Sequence, residues 1–294
     1  MNFYIAVMSS IGFKKILVGF AFSPNLKANI FESLRMAHYF GGKLIFVHVG
    51  SKTPEKESLF KEIVASSPVQ SEKIIIEWRI GNPVNTLLQA SQEFDVNLIL
   101  LGALKRENVL KFYLGSIARK ITREAKCSVL LLINPSVERR PCQHIVVNGF
   151  DSPQTKDTIR AAFMVAKALG SKKISLVEEI SRSKVAVDVD DDRSLRRATL
   201  KKEKLRRQEH TRVKDVVKKL PDELTNNINW ITQSIFGRRG YSIGHYAKVV
   251  RADLLVMNAQ ESLSFVDRLI TRDIEHILAE LPTDVLIINS KGNE

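Results

Sequence analysis

Between Gly102 and Ser116 the chain reads GALKRENVLKFYLGS, with a glycine near each end and Lys105, Arg106 and Lys111 between them. Glycine lets a backbone approach a ligand closely. Gly115-Ser116 opens a predicted helix, where free N–H groups and the positive dipole end attract anions. Phosphate is the anion that such a loop suits. Two glycines at this spacing also mark ordinary turns, so the pattern alone leaves both readings open. Cys127 precedes a predicted strand and reads as a small buried hydrophobe. Cys142 borders a linker, with no His or Asp partner close in sequence. The six histidines show no metal-ligand spacing, and His48, within a strand, reads as a packed or hydrogen-bonded core residue. No P-loop, Gly-x-Gly-x-x-Gly or Gly-x-Ser-x-Gly is present. The residues offer no catalytic set.

The elements that must position the loop alternate strand and helix. Ile16–Phe20 reads as a strand, Ser23-Pro24 as an N-cap and first-turn proline, and Leu26, Ile30, Leu34 and Ala37 as one helix face stopped by Gly41. Leu44–Val49 and Ile74–Ile80 are the next strands. Gly81-Asn82-Pro83 breaks the chain before a helix carrying Val84, Leu87, Leu88 and Ala90. Leu98–Leu101, near-continuously apolar, reads as a strand covered on both faces. Ser116–Ala125 reads as a helix and Val129–Ile133 as a fifth strand. Alternation of this kind implies parallel βαβ units in a doubly wound sheet.

The chain then repeats itself. KILVGFAFSP at Lys15–Pro24 echoes HIVVNGFDSP at His144–Pro153 with a shift of 129, and Gly41 and Gly170 share that shift. NLILL at 97–101 and SVLLLI at 128–133 recur at a shift of 156, so the second copy carries about 27 extra residues. The expectation is two domains, 1–138 and 142–294, joined by the charged, proline-bounded stretch 134–141. In the second, Ser152-Pro153 caps a helix ending at Gly170 and Ile174–Val177 is a strand. The insertion falls at about 181–219, a stretch with 14 Lys/Arg against 7 Asp/Glu. Arg193–Leu220 reads there as a long charged helix with an intermittent apolar stripe of Leu195, Leu205, Val213, Val216, Val217 and Leu220. Asp188, Asp190, Asp191 and Asp192 precede it, where negative charge suits a helix start.

The 294 residues carry a formal charge of +13, and more than half of the excess lies in that one segment. Arg196-Arg197, Lys201-Lys202, Lys204 and Arg206-Arg207 form its strongest cluster, compatible with a nucleic-acid or membrane surface or with a solvated helix. Basic pairs lie around the helix, Glu203 and Glu209 interrupt them, and aromatic stacking residues are absent. We therefore expect a partner surface for protein rather than for nucleic acid. No run of about 18 apolar residues exists to span a bilayer. Two cysteines and no secretory pattern point to the cytoplasm.

The segments ILVGFAFSP, GGKLIFVHV, the Gly81-x-Pro83 turn, NLILLG, LGS and AKCSVLLLI resemble the universal stress protein (UspA) family, and two fused copies are implied. The resemblance covers residues 13–135 well and 143–290 more loosely. It implies Rossmann-like (adenine nucleotide alpha hydrolase-like) α/β domains, each a five-stranded parallel sheet of order 3-2-1-4-5 flanked by helices. The halves would pair through their fifth strands, Val129–Ile133 and Val285–Ile288, as a pseudo-dimer. Nucleotide-binding members carry Gly-x2-Gly-x9-Gly-Ser/Thr. Gly102, Gly115 and Ser116 match its first glycine, third glycine and hydroxyl, whereas Lys105 replaces its second glycine. The adenine-contacting aspartate corresponds to Ala21, and Val49 matches the residue whose backbone meets adenine. The implied site is Gly102, Lys105, Gly115, Ser116, Ile117, Val49, Ala21 and Phe22, for ATP or a related adenine nucleotide with Mg²⁺. Lys105 either obstructs the loop or pairs with phosphate. In the second copy the equivalents are Asn258, Glu261, Thr271 and Arg272, with Phe150 at the aspartate position and Glu178 at the valine position. Asp151 lies one residue beyond. That half reads as structural or interaction-bearing. The implied function is stress response with the nucleotide as a regulatory ligand, slow ATP hydrolysis at most, and a homodimer as a further assembly. The alternative is a non-nucleotide scaffold acting through protein contacts.

Overall fold

The computed structural model describes residues 13–69, 74–102, 104–105, 112–185, 189–238, 240–259 and 272–289. The chain forms two compact units, Met1–Pro141 with Asp284–Glu294, and Cys142–Thr283. The C-terminal segment, which sequence assigns to the second half, clusters with the first.

The first unit runs β1 (Lys15–Phe20), α1 (Leu26–Phe40), β2 (Lys43–Val49), α2 (Pro54–Ala65), β3 (Ile74–Arg79), α3 (Pro83–Glu93) and β4 (Leu98–Gly102). A short ribbon follows, β5 (Leu104–Lys105) and β6 (Phe112–Tyr113), then α4 (Ser116–Glu124) and β7 (Ser128–Leu132). The sheet order is β3-β2-β1-β4-β7, all parallel, and the last strand of the chain, Asp284–Ile288, adds to β7 antiparallel. The expected order 3-2-1-4-5 and the pairing of the fifth strands are both present. Val285 faces Leu131 and Ile287 faces Val129 in that added ladder. The Asp284 carboxylate accepts from Ile133 N–H at 2.8 Å, and Asn289 donates its side-chain amide to Ala125 O. Right-handed crossovers place α1 and α2 on one sheet face, where they touch, and α3 and α4 on the other. Phe46, Phe60, Leu17, Leu98 and Leu100 are fully buried between these layers.

Several local expectations shift. Ser23 does not cap α1. Ser23 and Pro24 form a preceding turn, in which Leu26 N–H donates to Ser23 O, and the N-cap is Asn25 without a side-chain bond. Ser152 and Pro153 behave alike before the next long helix, whose N-cap is Gln154. Helix α2 was not expected, although Thr53 accepts from Lys56 N–H and Pro54 occupies its first turn. Gly41 does stop α1, with φ 65°.

The second unit runs β8 (His144–Asn148), α5 (Thr155–Leu169), β9 (Lys173–Ser181), α6 (Asp192–Val217), α7 (Asp222–Thr225), β10 (Asn229–Gly237), α8 (Tyr241–Val249), β11 (Leu254–Asn258) and α9 (Arg272–Ala279). Its sheet order is β10-β9-β8-β11, all parallel. The added strand of the first unit, Asp284–Ile288, is β12. Strand β9 extends four residues past the expected Val177, because the acidic pair Glu178-Glu179 is buried and bonded rather than looped out. The apolar stripe of α6 is buried only in part: Ala198, Val213 and Val217 are covered, whereas Leu195 is 53% exposed. Asp191 caps that helix, accepting from Ser194 N–H at 2.7 Å in a capping box. Among the described residues no helix is long and apolar enough to cross a membrane.

Candidate functional site

In the first unit the order of strands reverses between β1 and β4, and an open α/β sheet binds ligands beyond the carboxyl ends at that switch. Ala21 and Phe22 leave β1 there, Val49 ends β2, and Gly102 ends β4. The ribbon closes the 102–115 loop: Leu104 pairs with Tyr113, so Gly102 lies two residues before, and Gly115 two residues after, one cross-strand pair. Gly115 is the N-cap of α4, with φ −60° and ψ 157° and no side chain to cap the helix. The amide N–H groups of the first turn, those of Ser116 and Ile117 among them, have no intrahelical acceptor by helix geometry. They are the natural anion donors of this unit. The Lys105 side chain and residues Arg106 and Lys111 lie outside the described residues.

Asn29 of α1, which the sequence pattern did not single out, borders this crevice. A Cβ on Gly102 would lie 2.8 Å from Asn29 Oδ1, so glycine is what admits the carboxamide here. Asn29 Oδ1 is itself buried without a hydrogen-bond partner among the described residues. A buried acceptor left unmet is costly, and a ligand hydroxyl or amine would relieve it. No spacing rule finds such a residue, because its role depends on the helix meeting β4.

The end of the crevice formed by β1, β2 and β3 is aromatic rather than acidic. Phe22 stacks on Trp78 with centroids 5.9 Å apart and meets the His48 ring edge-on at 5.1 Å. Lys56 Nζ lies 5.6 Å from the Phe22 centroid. His48 is buried as expected, its Nδ1 3.1 Å from Phe20 O. Ala21 is exposed and carries no group that could bond an amino edge. Trp78 and Lys56 belong to β3 and α2, far from the motif in sequence.

The second unit fills the corresponding place. Lys172 and Lys173 both donate to Gln143 O, whereas in the first unit only Lys43 donates to Lys14 O. One extra residue therefore enters before β9, and the ladder aligns Val49 with Glu179, not with Glu178 as sequence alignment has it. Glu178 stands where His48 does. The Glu179 carboxylate accepts from Gly240 N–H at 2.9 Å and from Ile243 N–H at 2.8 Å, closing the start of α8. Glu178 accepts from Ser234 Oγ at 2.9 Å through one oxygen, and its other oxygen is buried without a partner among the described residues. Burial pushes its pKa up, opposed by the Ser234 bond and the nearby Arg212. Arg212 of α6 donates to Gly149 O, pairs with Glu209 at 2.8 Å and lies 3.7 Å from Asp151. Asp151 is thus engaged by arginine, and α6 covers the end of β8. Asn258 is bonded to Gln154. Glu261 and Thr271 lie outside the described residues, and of Arg272 only its place at the start of α9 is described.

Residues 50–132 match the model of the Universal stress protein family. A curated relative from Thermus aquaticus, described as "Universal stress protein in QAH/OAS sulfhydrylase 3'region", is 27% identical over 135 residues. That alignment spans 41% of this chain and 98% of the relative. The chain thus carries one universal stress protein domain, over residues 50–132. Among solved structures, a universal stress protein from Archaeoglobus fulgidus matches with a TM-score of 0.65 at 14% identity, over 95% of this chain and 97% of that one. The cytoplasmic domain of a prokaryotic cation chloride cotransporter matches with a TM-score of 0.52 at 16% identity, over 96% and 97%. At such identities both likenesses concern the fold, and one fold hosts many functions.

Proposed function

We propose that this chain is a tandem universal stress protein in which the first unit binds ATP or a related adenine nucleotide as a regulatory ligand. The observation that carries the reading is the convergence of Gly102, the uncapped start of α4 and the unmet Asn29 oxygen at the strand-order switch. The N–H groups of Ser116 and Ile117 would hold phosphate, Gly102 would admit the chain of the nucleotide, and Lys105 would add a cation. Mg²⁺ would accompany the phosphates. At the base end, Val49 would offer backbone and the Phe22 side chain a stacking surface, in place of the carboxylate missing at Ala21. Hydrolysis would be slow, since the described residues of the loop include no general base. The second unit is a degenerate copy whose site is taken up by Glu179 and Arg212.

A second reading rests on the same corner. Phe22, Trp78 and His48 pack on one another where a base would lie, which favours a scaffold that binds no nucleotide. Calorimetric titration of ATP, with and without Mg²⁺, into the protein and a Gly115→Glu variant separates the two. The φ and ψ of Gly115 suit any residue, so the variant tests space and charge rather than backbone strain. Saturable binding lost in the variant is the expected result. No heat at high micromolar protein, with no thermal shift, refutes the nucleotide and leaves the scaffold.

A further inference from the structure

The cations of α6 look scattered around the helix in sequence, but the fold holds down one side of its C-terminal half and leaves a long row of cations on the opposite side facing outward, flanked in the N-terminal half by the exposed Arg196, Lys201 and Lys202. Val213, Val217 and Ala198 are covered, Arg206 lies over the Phe236 ring, and His210 bonds Thr232, so one side of the helix is held down. Positions spaced by three and four residues along the opposite side are Arg193, Arg197, Lys204, Arg207, Lys214 and Lys218, and all six are exposed. Leu200 and Thr211 complete the row, and both are exposed. At about 1.5 Å per residue the row runs roughly 37 Å. Arg207 is paired with Glu203 at 3.0 Å and Lys218 with Asp215 at 3.9 Å. Arg193, Arg197, Lys204 and Lys214 have no ion pair among the described residues.

We infer that this face is a docking surface for the phosphate backbone of a nucleic-acid duplex, read by charge and not by base sequence. Three candidate partners differ in what they need. A protein interface is built around an apolar and aromatic centre, and this row holds one apolar side chain, Leu200, and no aromatic one. A membrane-surface helix needs a continuous apolar face to sink into the acyl boundary, and here the covered face is spent on the sheet. A phosphate backbone needs only cations at regular intervals, because affinity comes from counterion release. The absence of aromatic stacking residues argues against single strands and leaves duplex binding untouched. The surface is independent of any nucleotide held by the first unit.

The test is fluorescence anisotropy of a labelled DNA duplex of about 20 base pairs, titrated with the full chain between about 50 and 200 mM NaCl. The four unpaired cations of the row by themselves predict a log–log salt slope of about −3.6, and any contact from Arg196, Lys201 or Lys202 steepens it. The variant Arg193→Glu, Arg197→Glu, Lys204→Glu should weaken binding at least tenfold at the lower salt and bring the slope near −1. Its helix should persist by circular dichroism, since glutamate is a good helix former. The control Lys43→Glu, Lys126→Glu, Arg140→Glu removes as much charge from exposed positions of the first unit and should retain most of the binding. No duplex binding at 50 mM salt, equal loss in both variants, or binding to anionic lipid vesicles without duplex binding would each overturn the inference.

Discussion

Replacing Glu179 by alanine should unfold the second unit more readily than any other single carboxylate change in it. Glu179 is 7% exposed and reaches from β9 to the start of α8. It accepts from Gly240 N–H at 2.9 Å and from Ile243 N–H at 2.8 Å, and no residue of α8 caps itself by a side chain. Each bond joins a carboxylate to an N–H at the positive end of a helix dipole, worth about 1.5–3 kcal/mol. Loss of both, partly offset by water entering the corner, comes to roughly 3–5 kcal/mol. At about 2–4 °C per kcal/mol the melting temperature should fall by roughly 6–20 °C. Glu179→Gln keeps one acceptor but turns an NH₂ group towards the other donor, so about half the loss should follow. Urea unfolding monitored by tryptophan fluorescence suits the purpose, because Trp230 of β10 pairs with Ile174 of the same strand as Glu179. An alanine variant within about 1 kcal/mol of the parent would show that α8 does not depend on this cap.

Two further outcomes follow from burial. The Glu178 pKa lies above its ordinary 4.5 because burial disfavours the charged form. The folded state therefore holds this proton more tightly than the unfolded chain, and the stability it contributes is present below the ordinary value and lost as pH rises through the raised one. Glu178→Gln, which retains an acceptor for Ser234, should match the parent near pH 4 and exceed it in urea resistance near pH 7.5; the reverse order would contradict the burial argument. The Cys127 thiol is pushed up to about 11 by burial. At pH 8 its thiolate is about 100-fold scarcer than at the ordinary value, so a thiol reagent should modify it at least that much more slowly in the native protein than in urea. Equal rates would place Cys127 at the surface.

The strand order of the first unit was implied only by the family resemblance, but the parallel α/β class and the glycine stops at Gly41 and Gly170 were written in the residues themselves. These rest on local periodicity and on backbone conformations that glycine favours, and both are written residue by residue. The loop from Gly102 to Ser116 was legible for the same reason. Tertiary structure decided everything that depends on which segments meet. Asn29 matters because α1 lies against Gly102, and the aromatic corner exists because Phe22 and Trp78, 56 residues apart, stack beyond the sheet. Glu179 replaced Glu178 at the key position because one additional residue enters before β9, and a one-residue slip reverses the face of every side chain in a strand. The outward cationic row of α6 became visible only once the sheet had covered the other side, since a helix sequence specifies the angles between its residues but not which direction is solvent.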